Sequence, residues 1–506
     1  MSDASFVAKE LIAERAAPVR STGVIGFVQA RLLNSPTNIL LTVVSLLLLW
    51  FTIVPTVKFL LIDAVWQGQD RTACLPESVG RPVGACWPFV QAKFSQFIYG
   101  FYPEPERWRV NLTFLLGALL LLPLLIPRLP AKSVNAELFF LAFPLVAFFL
   151  LYGGGINGFG ISWAAELLST FAFHVMDIGR RLRGLGLLSD VAVIGYPLTL
   201  IGNGIVAFGD GLQLVALPFD WLRNQGINNG SPVWFELTAT AVVVSLLIFL
   251  LNGHVRSGWR ALANSVSIFI GVAIVIASLR LDRGGLPIVD TRLWGGLLVT
   301  LVVSITGIVT SMPVGIALAL GRRSTIPLIR LFSIAFIEFW RGVPLITVLF
   351  FATYMLPLFL PGTFTVDGLV RALIGIALFA GAYNAEVIRG GLQAIPRGQA
   401  EAASALGLSW WKTTRLVVMP QALRHVIPGL VNSFIALLKD TSLVSIVALF
   451  DLLGQLRAAF ADPSWSTPTT LFTGFAFTGI LYFVMCFGIS RYSLFVEHRL
   501  NAHRRS

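Results

Sequence analysis

Residues 389–407 read RGGLQAIPRGQAEAASALG, and the chain continues to VVMPQA at 417–422. This polar, alanine-rich segment separates two apolar runs, so it connects them outside the membrane core. Its centre, EAA at 401–403, lies between Gly398 and Gly407, and glycine commonly ends a helix. Small side chains leave a helix surface that can nest closely against another protein. The segment therefore predicts either an exposed docking helix or an ordinary connector between two spans.

The composition of the chain is that of an integral membrane protein. Of its 506 residues, 56% are hydrophobic and only 12% are charged, whereas soluble domains are about one-quarter charged. The formal net charge is +12, but no water-facing domain carries the clustered Lys and Arg of a nucleic-acid-binding surface. The sequence therefore predicts an all-α, polytopic membrane protein with no nucleic-acid partner.

Apolar windows of about 18 residues predict ten membrane spans. Six are continuous, two form a shorter hairpin, and two are interrupted by charged residues or proline. The ten windows are 38–62, 233–251, 265–281, 294–320, 369–388, 470–490, 111–126, 137–152, 331–360 and 426–453. Two weaker windows, 163–178 and 187–208, flank an arginine cluster and raise the total to twelve if they cross.

The placement of Lys and Arg predicts the orientation of these spans, because cytoplasmic loops retain positive charge. With the N-terminus inside, six inner segments hold 20 Lys and Arg, and five outer segments hold 11. Both termini and the segment 389–425 are therefore predicted to be cytoplasmic. The tail 1–37 mixes acidic with basic residues, so the first span is predicted to be an uncleaved anchor.

The loop 63–109 is predicted to face the outside and carries two of the three cysteines, Cys74 and Cys86. Disulfides persist in oxidising compartments, so either one bridge or two unpaired thiols fits this loop. The stretch 87–102 interleaves aromatic residues with Lys93. It predicts a helix that either lies on the membrane surface or packs over the bundle.

The sequence offers no constellation for catalysis or for a metal. Its five histidines form no metal-ligand spacing, and no Gly-x-Ser-x-Gly elbow occurs. A phosphate-binding loop needs Gly-Lys followed by Ser or Thr, and none of the six lysines follows a glycine. We expect no catalytic residue, no metal site and no cofactor bound by this chain. A transport subunit is then the default function of a many-span bundle.

Several motifs resemble the membrane subunits of bacterial ABC importers, within them the polar amino acid permeases for histidine, glutamine and general L-amino acids. The Glu-Ala-Ala signature of that family is matched at 401–407 and 417–420, with Val417 and Met419 where the family usually has Ile and Leu. The resemblance covers about residues 290–500 and rests on several independent motifs. Further matching segments are 295–300, 337–344, 383–391 and 438–443.

This resemblance implies a C-terminal permease core of five helices, whose cytoplasmic helix sits in a groove on an ATP-binding subunit. The residues expected to couple transport to that ATPase are Gly398, Glu401, Ala402, Ala403, Gly407 and Pro420. The expected partners are a dimer of ABC ATPase subunits that binds ATP-Mg, a second permease or another copy of this chain, a periplasmic amino-acid-binding protein, and the lipid bilayer.

The predicted organisation has four parts. A cytoplasmic tail, 1–37, precedes a three-span region, 38–152, which resembles the extended permeases of general or acidic amino acid systems. Residues 153–285 form an extra membrane region of open role, because they match no segment of that family. The permease domain is predicted at 286–506.

Ionisable residues at membrane depth usually face a partner or a water-filled cavity. Glu338 and Arg341 are three positions apart, as are Glu386 and Arg389, so each pair is expected either to form a structural ion pair or to line the path of a solute. A broken helix is expected near Pro344. The candidate path residues, which could bind both charges of an amino acid, are Glu338, Arg341, Tyr383, Glu386, Asn432, Lys439, Asp440, Thr441 and Ser442.

The sequence thus predicts a permease subunit that moves polar L-amino acids across the bacterial inner membrane into the cytoplasm. It is expected not to be an enzyme, because a separate subunit hydrolyses ATP. An ion-coupled secondary amino acid transporter is the alternative, although such folds commonly have two related halves and the N-terminal half holds no second Glu-Ala-Ala segment. A membrane-embedded enzyme is disfavoured by the lack of a catalytic constellation.

Overall fold

The computed structural model describes residues 27–126, 129, 132–154, 161–187, 192–228, 232–251, 255–278, 285–359 and 366–501. Every extended regular element in these residues is a helix, which confirms the all-α class, and β pairing in them is limited to isolated bridges. The predictions made for the tail up to position 26, and for loop residues 127–128, 280–284, 361–365 and 502–506, lie outside the described residues.

The main helices are numbered in chain order. In the N-terminal part they are α1 (Pro36–Val57), α2 (Trp87–Tyr99), α3 (Arg107–Leu125), α4 (Phe143–Tyr152), α5 (Ile161–Leu187), α6 (Ala192–Asn228), α7 (Pro232–Leu251) and α8 (Val255–Ser278). In the C-terminal part they are α9 (Gly296–Gly321), α10 (Pro327–Gly342), α11 (Leu345–Phe350), α12 (Gly368–Ala394), α13 (Arg397–Ala405), α14 (Met419–Asp440), α15 (Leu452–Phe460) and α16 (Thr470–Asn501).

Eight helical stretches in the described residues are long and apolar enough to cross a membrane, and a ninth span results if α10 and α11 form one broken span. The eight are Pro36–Ile62, Glu104–Leu125, Val134–Tyr152, Gly195–Gln225, Gly296–Gly321, Gly368–Ala394, Trp410–Val447 and Thr470–Arg499. This count covers only the described residues, whereas the ten or twelve predicted spans were counted on the whole sequence. Within the described residues α7 and α8 contribute shorter apolar stretches, Trp234–Leu246 and Leu262–Gly271.

The weak pair of predicted spans is a helical hairpin formed by α5 and α6. Only α6 contains a stretch that qualifies as a span, because α5 carries acidic residues and the arginine cluster at 180–183. Glycines bring the two helices together: a Cβ on Gly179 would lie 2.8 Å from the backbone oxygen of Gly202, and a Cβ on Gly209 would lie 2.4 Å from the side chain of Met176. The contact positions descend along α5 as they rise along α6, so the two helices are antiparallel.

In the C-terminal part, α9, α12 and α14 pack against one another around a buried apolar core. The chain bends by 104° between α10 and α11, at Val343 and Pro344, which confirms the predicted broken helix. Helices α12 and α14 come very close at Gly391, where a Cβ would lie 2.8 Å from the backbone oxygen of Ala422. A side chain at this position would separate the two helices that flank α13.

The loop 63–109, called the outer cap below, folds over the C-terminal bundle. Cys74 and Cys86 form a disulfide in it, with their Cα atoms 5.7 Å apart. Helix α2 packs over the bundle, since Phe97 is fully buried in a cluster with Leu456 of α15. Of the alternatives that the sequence left open, the structure therefore contains the disulfide and the packed helix.

Candidate functional site

Helix α13 carries the Glu-Ala-Ala segment on the surface of the molecule. The helix begins at Arg397, so Gly398 lies in its first turn rather than before it. It ends in a Schellman arrangement: the backbone N–H of Leu408 donates to the carbonyl of Ala403 across 3.1 Å, and that of Gly407 donates to Ser404 across 2.9 Å. Gly407 has a φ of +76°, a left-handed conformation that glycine adopts without strain.

Both ends of α13 are attached to long membrane helices. Helix α12 ends at Ala394, three positions before α13 begins. In the first turn of α13, Oε1 of Gln399 accepts a hydrogen bond across 3.2 Å from Nε2 of Gln421 in α14, which also donates to the carbonyl of Val417 across 2.9 Å. The other end of α13 leads through the turn 406–409 into the helical stretch Trp410–Val447, which contains α14. Pro420 stands next to Gln421, just after the π-helical turn Thr414–Val418 that runs into α14. Helix α13 is therefore linked directly to both α12 and α14.

The outward face of α13 is small and polar. Glu401 and Ala402 are exposed, whereas Ala403 is only 4% exposed. The expectation that Ala403 itself contacts an ATPase thus differs from the structure, in which its methyl group seats the helix on its own chain. Large apolar side chains beside the helix are exposed, namely Leu406, Trp410, Trp411 and Leu416. An exposed apolar patch of this kind is typical of a protein–protein interface.

Glu386 is the centre of an ion-pair cluster near the end of α12. Arg389, one turn along, donates from Nε to Oε1 of Glu386 across 2.8 Å. Arg322, which follows α9, donates from Nη1 to Oε2 of Glu386 and to Oε1 of Glu338, each across 3.3 Å. The predicted Glu386–Arg389 pair is therefore present, and the cluster ties α9, α10 and α12 together.

The second pair expected from spacing, Glu338 with Arg341, does not form. Glu338 bonds to Arg322 instead, and the guanidinium of Arg341 lies over the ring of Tyr383, 5.8 Å from its centroid. A spacing of three places two residues on one helix face, but a partner on a neighbouring helix competes for each of them. Arg341 and Tyr383 are exposed, so this cation lies on an open surface of the single chain.

The candidate residues of α14 divide into two groups. Asn432 and Lys439 are exposed and Asp440 is half-buried, so they line one accessible face. Thr441 is only 1% exposed; its hydroxyl donates to the carbonyl of Leu438 across 2.7 Å and contacts the hydroxyl of Tyr482 at 3.3 Å. Its hydroxyl is engaged by α16, so Thr441 does not share the open face, and Ser442 is half-buried.

Sequence reasoning missed Asn384, which lies in a quoted motif between two candidate residues. It is completely buried. Its Nδ2 donates to the hydroxyl of Ser311 on α9 across 3.0 Å, and its Oδ1 accepts from the hydroxyl of Ser433 on α14 across 2.8 Å. The signal in the sequence was a lone amide inside an apolar span, which usually has a polar partner on a neighbouring helix.

Asp451, also missed, is completely buried at the start of α15. Its two carboxylate oxygens accept hydrogen bonds from the backbone N–H groups of Gly454 (3.0 Å) and Leu453 (3.1 Å), and from the hydroxyl of Tyr482 (3.1 Å). Burial raises the pKa of Asp451 above its usual value. The residue caps α15 and holds it against α16. Among the described residues, no group of three or more His, Cys, Asp or Glu is arranged to hold a metal ion.

Comparison with known proteins gives matches over the whole chain. The model of the family "Binding-protein-dependent transport system inner membrane component" matches residues 311–501. The chain is 35% identical over 490 residues to the inner membrane amino-acid ABC transporter permease protein YhdY of Escherichia coli (strain K12), covering 97% of this chain and 96% of that protein. It is 38% identical over 512 residues to the glutamate/glutamine/aspartate/asparagine transport system permease protein BztC of Rhodobacter capsulatus, covering all of both chains.

A third relative matches over a shorter length. The glutamate/aspartate import permease protein GltK of Escherichia coli O6:H1 is 32% identical over 209 residues, which cover 40% of this chain and 91% of that protein. The two longer alignments include residues 153–285. This region is therefore shared with those two relatives, although no resemblance between it and the permease family is apparent in the sequence itself. The comparisons give the ion-coupled alternative no support.

Proposed function

Since the chain belongs to the amino-acid ABC transporter permeases, which are multi-pass transport subunits of the inner membrane, we propose that α13 is the surface through which a separate ATPase drives it. The observation that carries this proposal is the position of α13. It is exposed on one side and seated by Ala403 on the other. It is hydrogen-bonded to α14 through Gln399, and short turns connect it to α12 at one end and to the helical stretch Trp410–Val447, which contains α14, at the other.

Conformational changes of this kind commonly occur by rigid-body movement of packed helices. An ATPase that holds the exposed face of α13 would move α12 and α14 as a unit, because Gly391 keeps these two helices in close contact. The coupling residues we propose are Gly398, Glu401, Ala402, Gly407 and Pro420, with Ala403 as the seat of the helix. In this arrangement α13 and both termini lie in the cytoplasm. This chain binds no cofactor, and ATP-Mg binds to the ATPase.

The open polar face of the single chain is evidence that a second permease subunit, either another copy or a related chain, packs against it. Asn432 and Lys439 on α14 are exposed, as are Arg341 and Tyr383. Charged groups at membrane depth face a partner or water, so a second subunit opposite this face would enclose the path. Two ATPase subunits and a periplasmic amino-acid-binding protein complete the complex.

The proposed cargo is polar L-amino acids, with glutamate, aspartate and their amides as the first candidates. These are the amino acids named for two of the relatives. The open face of this chain offers Arg341 and Lys439 as cations for carboxylates and Asp440 as an acceptor for the ammonium group. We expect Asp440→Asn to abolish ATP-dependent uptake of labelled glutamate and glutamine in vesicles while the complex still assembles. If the Asp440→Asn variant transports normally, Asp440 does not take part in the solute path.

Crosslinking of the full complex tests the coupling surface. In a Cys486→Ser background, with Cys74 and Cys86 oxidised, Ala402→Cys should crosslink to a cysteine-labelled groove on the co-purified ATPase. Ala403→Cys is the matched control, since the same residue type stands one position along but faces inward. If Ala402→Cys gives no crosslink in a complex that transports, α13 is not the coupling surface.

A further inference from the structure

A cavity of about 500 Å³ lies where α9, α10, α12 and α13 meet, and its lining is strongly basic. Five arginines from four different elements face it, and no carboxylate is among the residues that line it. These five are Arg322, Arg323, Arg330, Arg389 and Arg397. None of these five arginines is among the residues proposed above for the path of the solute.

The charges in this cavity do not cancel. Arg322 and Arg389 are neutralised by Glu386 and Glu338. Arg323, Arg330 and Arg397 have no carboxylate oxygen within 4 Å in the part of the chain that the structure describes. Three guanidinium groups that line one open cavity without counter-charges form a site for an anion, and arginine matches phosphate with paired N–H donors.

The surroundings of the cavity favour an amphipathic anion over a small one. Helix α10 carries Arg330 between large apolar side chains that are exposed on the single chain: Leu328 is 76% exposed, Leu331 66% and Phe332 62%. A phosphate group held in the cavity would leave this apolar face beside it free to contact an acyl chain. Basic pockets between helices at the membrane surface commonly bind the headgroups of anionic lipids.

We propose that the cavity binds the phosphate headgroup of an anionic phospholipid, with an acyl chain lying on Leu328, Leu331 and Phe332. Arg397 is the first residue of α13 and Arg323 donates to the carbonyl of Leu392 in α12. The bound headgroup therefore holds α13 against the ends of α9 and α10. This site goes beyond the proposed transport function and makes the lipid a determinant of how α13 is positioned.

The test uses the full chain with its co-purified partners in phosphatidylcholine nanodiscs, with and without phosphatidylglycerol. The variant Arg330→Gln/Arg397→Gln removes two cavity charges that have no ion-pair partner. The matched control Arg415→Gln/Arg424→Gln removes two exposed arginines that do not line the cavity. Native mass spectrometry counts the phosphatidylglycerol molecules retained, and thermal unfolding measures the shift that phosphatidylglycerol or inorganic phosphate causes.

The wild type and the control should retain the lipid, and the cavity variant should bind it about fivefold more weakly for each arginine lost. Equal retention by all three proteins would overturn the proposal. If inorganic phosphate causes the same thermal shift as phosphatidylglycerol and the lipid is not preferentially retained, the cavity is a site for free phosphate and the lipid proposal is wrong. Loss of co-purified ATPase by the cavity variant, with lipid retention unchanged, would assign the arginines to the protein interface instead.

Discussion

Asn384 donates a hydrogen bond to the hydroxyl oxygen of Ser311 across 3.0 Å, and both side chains are completely buried. The same amide accepts from Ser433. One side chain therefore joins α9, α12 and α14, the helices that surround the attachment of α13. In an apolar environment a polar group finds its partner on a neighbouring helix or stays unsatisfied. The amide thus fixes the relative rotation of these three helices.

Asn384→Ala is expected to lower the free energy of unfolding by about 1 kcal/mol, the size typical of interhelical hydrogen bonds in membrane proteins. The reason is that Ser311 and Ser433 lose their shared partner. Thermal unfolding of the purified complex measures the change. Asn203→Ala, the same substitution on an exposed position of α6, is the control and should leave stability unaltered. Equal melting temperatures for both variants would show that the hydrogen bonds of Asn384 do not stabilise the packing of α9, α12 and α14.

Glu386→Gln tests the ion-pair cluster. It removes the charge that Arg322 and Arg389 share, so two guanidinium groups face each other without a carboxylate between them. Because these side chains are about one-quarter exposed, solvent screens the repulsion, and we expect a loss of about 1–2 kcal/mol in stability. Uptake should fall with it, since α9, α10 and α12 are no longer held in register.

Glu338→Gln is the matched control for this cluster. Glu338 is 57% exposed and contacts only one of the arginines, so its loss should cost less than half as much as that of Glu386. Thermal unfolding and ATP-dependent uptake are measured on both variants side by side. A larger effect at Glu338 than at Glu386 would show that the cluster is centred elsewhere.

Much of the architecture near the site could be predicted because it depends on local chemistry. The break at Pro344, the end of α13 at Gly407 and the spacing of Glu386 and Arg389 are all properties of a few consecutive residues. What could not be predicted depends on which helices become neighbours. Arg322 is 64 positions from Glu386, and a helical period says which face a residue occupies but not what lies opposite it.

The burial of Ala403 and Thr441 illustrates the same limit. Both stand in motifs that the resemblance links to function, yet each side chain packs inside the chain. The open choice at Cys74 and Cys86 had a different cause, since twelve positions of loop permit a bridge without requiring one. Only the folded outer cap brings the two Cα atoms to 5.7 Å.

Gly407→Ala should weaken the end of α13 by about 1 kcal/mol, because a residue with a Cβ resists the positive φ that the Schellman arrangement needs. A Cβ there would meet no atom within 4 Å, so the effect is purely conformational. Gly390→Ala is the control, because a Cβ at that position of α12 would also meet no atom within 4 Å and the residue does not have a positive φ. ATPase-coupled uptake should fall for Gly407→Ala only. Equal uptake by both variants would exclude a role for the helix end.

The outer cap should be sensitive to pH through Asp462. Lys93 on α2 and Ser464 bond to this carboxylate and hold the pKa of Asp462 well below its usual range. A group whose pKa is lowered by folding stabilises the fold above its unfolded pKa and loses that contribution as the pH falls. The pair therefore contributes fully at neutral pH and fades below about pH 4.

Asp462→Asn is expected to lower the stability of the cap at neutral pH by less than about 1 kcal/mol, because both partners are partly exposed. The measurement is hydrogen exchange of the backbone amides of α2, which carries Lys93 and packs against the buried Trp465. The difference between wild type and variant should narrow as the pH is lowered through about 4. Asp63→Asn, which removes the longer and more exposed pair with Lys58, should show little difference at any pH. If the stability difference between the wild type and Asp462→Asn stays constant as the pH is lowered, the ion pair with Lys93 does not stabilise the outer cap.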